Sequence, residues 1–421
     1  MKQRIISALL AGLLCAGLTA PAEAAETAAD TAPVQDAAGP AALTPVRMGL
    51  RAVRAAVEEA NPTALALHKT ADSLGSTDSL SGALDGGMNS TAQIYDKLIE
   101  SIQAAMEHLS DNDPLFITYQ AQLILLEGQK AALEQSIQSA AAQVEAAIQQ
   151  MEDAAYQLDR QADNVAGQMA LGAQSMLIGM QTLNLNEEQL ERQLASLDRS
   201  IAVLEVQFAL GMVSRLELDT VRSQRDTLAR AIDTLDVQYE SLGSSIALLC
   251  GYGADTMVVP STIPEVYDAD LRQMDYDADL EQALDNSFSI WQSRNELRQA
   301  QNARDEDIPA TVTAVQAAQE ALEAEQDTVR AAFDTLYQNV QDSVQARDAA
   351  QTAAAQAELD FRTSTVQYDN GMISRLTYQQ AQDTLADARL AVESAQLSLR
   401  SAYTQYEWAL EGVMTSAAET A

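Results

Sequence analysis

Apolar residues recur along most of this chain at the spacing of one helix face, and the uninterrupted runs are long. From about Pro114 to Ala209 no interior proline occurs. Near its end Leu190, Leu194, Leu197, Ile201, Leu204 and Phe208 follow in alternating steps of four and three, a seam between paired helices. At 1.5 Å per residue such a helix spans on the order of 140 Å. After Gly211 a second helix carries Val221, Leu228, Ile232, Leu235, Tyr239, Leu242, Ile246 and Leu249, and ends at Gly251-Tyr252-Gly253. The pattern returns with Val329, Phe333, Leu336 and Val340 in a helix expected from Ala310 to about Tyr368. A final helix carries Leu385, Val392, Leu399, Tyr403, Tyr406 and Leu410. Beside that last seam Ala381, Ala388, Ala395, Ala402 and Ala409 form a row. Small residues on a second face predict a helix packed on two sides, as in a ring or sheet of helices.

Shorter elements lie between. A helix is expected from Thr44 to Glu59, with Val46, Leu50, Val53 and Val57 on one face. Asn61-Pro62 ends it, and Pro62 starts the next. Residues 73–91 carry Gly75, Gly82, Gly86 and Gly87 and read as a loop. A helix over about 92–109 stops at Ser110-Asp111-Asn112-Asp113, and Leu115 to Gln120 is the one strand-like stretch. A linker with Pro260 and Pro264 precedes a helix expected over 279–304, with Asp279 and Gln282 at the spacing of an N-terminal capping box. The Asp-x-Asp strings at 268–270 and 277–279 lack the glycine turn and distal glutamate of a calcium loop and read as solvated loop.

Composition narrows the function. Of 421 residues 61 are Asp or Glu and 25 Lys or Arg, a net charge of −36, which opposes nucleic-acid binding. With 2 His and 2 Cys there is no material for a zinc site, a disulfide framework or a Cys–His nucleophile pair. His68 and His108 are isolated, Cys250 reads as a small buried apolar residue, and Gly251-x-Gly253 as a helix end. No catalytic, cofactor or metal site emerges, so the chain reads as no enzyme. Lys2 and Arg4, the apolar run Ile5 to Leu18 and Ala22-Glu23-Ala24 read as a secretory signal peptide over 1–24. Leu14 before Cys15 is too large for a lipid-attachment site. Residues 25–44 have the composition of a disordered tether. The mature chain is therefore expected outside the cytoplasm, in the cell envelope, without a membrane-spanning helix.

The decisive feature is a duplication. Gln207-Phe208-Ala209-Leu210-Gly211-Met212-Val213-Ser214-Arg215-Leu216 recurs in the second half as Gln367-Tyr368-Asp369-Asn370-Gly371-Met372-Ile373-Ser374-Arg375-Leu376. Each copy reads as a helix–turn–helix tip. Gly takes the left-handed position that ends one helix, and Ser214 or Ser374 caps the next. Each copy closes with a second glycine some way further on, Gly251 and Gly412. The chain divides on this reading into a first helical repeat over 45–253, a linker over 254–278, a second repeat over 279–412 and a tail over 413–421.

This arrangement resembles the TolC-like outer-membrane efflux family, an internal duplication of long helical hairpins. Val46 to Pro62 looks like the family's opening helix with its Asn-Pro signature. Asp279 to Leu284 looks like the same element of the second half, with Ser287-Phe288-Ser289 in place of Asn-Pro. The resemblance implies an all-α fold of TolC type with little or no β, because the aromatic, alternating segments of the family's membrane barrel are missing. It implies a homotrimer whose tips dock an adaptor protein linked to an inner-membrane transporter. Leu210, Gly211, Met212 and Ser214, with Asn370, Gly371, Met372 and Ser374, would form the docking surface. Methionine beside each glycine suits adaptable contacts, or else packs inside its own hairpin. The family narrows its tunnel with acidic residues past each tip, and Glu217 and Asp219 match that in the first copy, whereas Thr377 and Gln380 follow the second. Carboxylates there are equally what a helix N-terminus favours. The chain thus reads as a helical conduit component of an efflux or export system. The alternative is a coiled-coil structural or adaptor protein of the envelope with no channel.

Overall fold

A computed structural model describes residues 43–76, 93–107 and 114–414, all within one unit, Leu43–Ala421. The signal segment 1–24, the tether up to 42, most of the glycine-rich loop, His108 and the tail over 415–421 lie outside the described residues. The elements are β1 (Thr44–Met48), α1 (Leu50–Ala60), α2 (Pro62–Gly75), α3 (93–106), α4 (Pro114–Ala209), α5 (Arg215–Leu249), β2 (Thr256–Pro260), α6 (Asp268–Leu271), α7 (Tyr276–Asn286), α8 (Phe288–Asn302), α9 (Pro309–Asp369) and α10 (Arg375–Leu410).

The four long helices stand in a row. Helix α4 packs between α5 and α10, and α10 between α4 and α9. The heptad seams explain this order. Leu190, Leu194, Leu197, Ile201 and Leu204 are half-buried along α4, while Leu385, Leu399 and Tyr406 are buried along α10. Two buried clusters anchor the row away from the tips. One joins Val53 and Val57 of α1 to Leu177 and Met180 of α4, Ile246 of α5, Val258 of β2 and Trp408. The other joins Ala283 of α7 to Phe333 and Val340 of α9 and Leu399, Ala402, Tyr406 and Ala409 of α10. Fully burying one such side chain is worth about 1.5–3 kcal/mol, so these clusters hold the helices in register.

The two halves share a junction built twice. Asn61 (φ −63°, ψ 119°) separates α1 from α2, and its Oδ1 accepts from the Thr63 and Ala64 amides at 2.9 and 3.2 Å. Ser287 takes the same conformation (φ −59°, ψ 123°) between α7 and α8, so the single helix expected over 279–304 is two helices. Each closing glycine lies against its own junction. A Cβ on Gly251 would sit 3.1 Å from the Ala60 Cβ, and one on Gly412 would sit 2.2 Å from the Asn286 carbonyl oxygen.

Three further expectations are corrected. Thr44 to Met48 is not the start of a helix but a strand, parallel to β2 with Val46 opposite Val258. Its partner lies in the other half of the chain, a pairing no local pattern displays. The pair also places ordered backbone in the expected linker over 254–278. Thr44 N donates to Asp255 O and Ser261 N to Met48 O, so Pro45 turns its backbone to the open edge and, lacking an N–H, blunts it. The other edge lies under α5, where a Cβ on Gly243 would be 2.7 Å from the Val258 carbonyl. Leu115 to Gln120 is not strand-like but the first turns of α4. The capping residue of α7 is Asp275, not Asp279. Asp279 accepts from the Asp275 amide at 2.8 Å and from the Tyr406 hydroxyl.

Candidate functional site: the paired hairpin tips

The two tips are built alike. Gly211 (φ 72°) and Gly371 (φ 70°) take the left-handed conformation. Their amides reach Phe208 O and Tyr368 O, both at 2.9 Å. The next amides, of Met212 and Met372, reach Gln207 O and Gln367 O, both at 2.8 Å. These two bonds close the last turn of each incoming helix. Ser214 Oγ then accepts from the Glu217 amide at 3.2 Å and Ser374 Oγ from the Thr377 amide at 3.1 Å, starting the outgoing helix.

Tertiary packing sets the tips side by side. Helices α4 and α10 run antiparallel, with Trp408 bonded to Gln174 and Arg199 paired with Asp383. The same register carried on brings Gly211 level with Gly371. Both glycines face open space, since a Cβ there would meet nothing within 4 Å. The residues around them are uncovered: Leu210 is 71% exposed, Met212 69% and Met372 73%. The methionines therefore do not pack inside their own hairpins.

The tips also differ. Asn370 turns its side chain back onto the Val366 carbonyl at 2.7 Å, where the first copy exposes Leu210. Tyr368 stacks on Tyr378 at 4.8 Å between ring centres and stiffens the second hairpin. The equivalent positions in the first are Phe208 and a buried Leu218. Asp219 lies within 3.5 Å of Arg215 and 3.7 Å of Arg222, and Arg222 also reaches across the hairpin to Glu205 at 2.7 Å. Glu217 forms no ion pair with a described residue, so the structure does not bring the two acidic candidates together on a shared cation. Leu216 and Leu376, on which the repeated strings end, are also exposed beside the tips and widen the apolar surface beyond the expected contact residues. Away from the tips His68 is not isolated, because its Nδ1 lies 2.7 Å from an Asp159 carboxylate oxygen. Among the described residues no group of three His, Cys, Asp or Glu is placed to hold a metal ion.

No known family profile matches the chain, and no curated protein matches it in sequence. Several solved structures are similar in fold. The CmeC outer membrane channel of Campylobacter jejuni is 13% identical, with 64% of this chain covering 68% of that one at a TM-score of 0.46. The outer membrane protein VceC of Vibrio cholerae is 14% identical over 64% of this chain and 76% of its own, at 0.43. The open-state MtrE outer membrane channel of Neisseria gonorrhoeae is 11% identical over 87% and 89%, at 0.40. The described part of this chain is almost wholly helical. Among the described residues its only strands are the two of the β1–β2 pair, and no described helix is long and apolar enough to cross a membrane.

Proposed function

We propose that this chain is the helical-conduit subunit of an export system in the cell envelope. It works as a homotrimer and docks end-on, by its hairpin tips, to an adaptor protein serving an inner-membrane transporter. The observation that carries this reading is the pair of level, uncovered tips, each presenting a methionine beside a left-handed glycine. A free loop of this kind would ordinarily be polar, and exposed apolar groups clustered at one end of a molecule mark a contact surface. The outer flanks of α5 and α9 fit assembly as well. Val237 on α5 and Leu359 on α9 are exposed at the two open edges of the helix row, where neighbouring copies would join. Glu217 and Asp219 would stand just inside such a tube, with Arg215 and Arg222 offsetting part of their charge.

The competing reading, an envelope coiled coil without a channel, is favoured by one observation: within residues 75–135, the place of the family's barrel strands in the first half, described residues 93–106 and 114–135 are helical.

The test is Met212→Asp combined with Met372→Asp. Helicity and melting temperature should stay unchanged, because both side chains are exposed, while adaptor pull-down and export are abolished. Unaltered adaptor binding would sink the docking assignment.

A further inference from the structure

At the end of α4 away from the tips, α3 and the opening third of α4 form a two-helix arm. Lys130 bonds Asp96 at 2.5 Å across it, and Gly75 approaches Ala155 lower down. Each limb carries one half-buried apolar row, which we take as its seam: Tyr95, Ile99 and Ile102 on α3, and Leu123, Leu126, Leu133 and Ile137 on α4, the α4 row lying on the side of Lys130. Between residues 93 and 161 no described residue is fully buried. Helices this poorly covered gain little from tertiary packing, which supplies most helical stability in proteins.

The face of α4 opposite that seam has its own pattern. Leu125, Gly128, Ala132, Ser139, Ala142 and Ala146 lie on it at steps of three, four and seven, and all are exposed. Ile124, 65% exposed, flanks it. Between 114 and 151 the charged residues of α4 are Glu127, Lys130, Glu134 and Glu145. At about 100° per residue all four fall on the seam or on one flank. The back face is therefore free of charge in a chain of net charge −36.

We infer that the arms of separate copies of this chain meet back to back along this face. Copies carrying so much like charge repel each other over most of their surfaces, and they can approach closely where charge is absent. Small residues let two helices come near, and Ile124 and Leu125 supply apolar area at the outer end. The face over 121–149 runs about 42 Å, and at roughly 10 Å width two such faces bury on the order of 800–1,000 Å². That falls short of the roughly 1,000 Å² that a specific interface needs by itself. The arms therefore reinforce an assembly joined elsewhere, and the inference rests on the proposed trimer. Around a common axis like residues face one another, so the same position in two copies comes into contact.

Single cysteines on a Cys250→Ser background test this in the full mature chain with a short bis-maleimide. Ala132→Cys and Ala142→Cys should cross-link copies at least fivefold more efficiently than Glu127→Cys on the flank. Light scattering on the same samples gives the assembly mass. A trimer mass with no cross-linking at Ala132→Cys or Ala142→Cys overturns the arm contact and leaves the trimer standing. Equal cross-linking at all three positions also overturns it, because no face is then preferred. A monomer mass overturns arm contact and trimer together.

Discussion

Trp408 donates its indole N–H to the side-chain oxygen of Gln174 at 2.7 Å, in a place where both residues are buried. The Gln174 amide nitrogen donates in turn to the Leu50 carbonyl at 2.9 Å. One side chain thus ties the opening helix of the first half to the last helix of the second. The tie fixes the α4–α10 register that sets the tips level.

Gln174→Leu should be costly, since it leaves the Trp408 N–H unpaired in the core and removes the second bond of the Leu50 carbonyl, whose other partner is its own helix ladder. An unsatisfied buried group costs about 1–3 kcal/mol, so a loss of roughly 2–4 kcal/mol is expected in a urea titration. A loss near zero would mean water replaces both bonds.

The four left-handed glycines among the described residues should not respond alike to alanine. Gly211→Ala and Gly371→Ala meet open space and should cost only the strain of a positive φ, about 1 kcal/mol. Gly412→Ala would drive a Cβ to 2.2 Å from the Asn286 carbonyl, so the junction must move as well. Thermal melts should rank Gly412→Ala well below the two tip variants.

Arg54 forks onto Glu411 at 2.8 and 2.6 Å and lies 4.1 Å over the Trp408 ring. Arg54→Lys keeps the charge but loses the fork and the stacking. For a pair this exposed the expected cost is about 1 kcal/mol, and the difference from the parent chain should shrink in high salt. A difference that is unchanged by salt would assign the effect to stacking alone.

Burial pushes the Cys250 thiol up to about 11 from 9.0. At pH 8 its thiolate fraction is then about 100-fold below that of an unfolded thiol. Labelling by a charged thiol reagent should be slower by at least that factor in the native chain than in guanidinium. The sign for stability follows. From about pH 9 towards 11 the unfolded chain loses this proton and the folded chain keeps it, so stability falls as pH rises. Cys250→Ala should flatten that part of the profile.

The chain order alone determined the long helices, because heptad seams such as Leu190 to Leu204 and breakers such as Gly211 and Asn61 are local signals. It also determined both tips, since Gly, Ser and their spacing recur at Gly211-Met212-Val213-Ser214 and Gly371-Met372-Ile373-Ser374. Only the tertiary structure decided the rest. The β1–β2 pair joins segments from opposite halves of the chain, and Val46 shares a helical period with Leu50, so local pattern favoured the wrong element. Ser287 breaks its helix where Gly412 presses on the backbone, a contact invisible in the flanking residues. Met212 and Met372 could equally have been core or surface, because a residue's type does not say which side of a turn a neighbouring helix will cover. That was settled by α4 and α10 packing in a register that leaves both tips beyond the last covered turn.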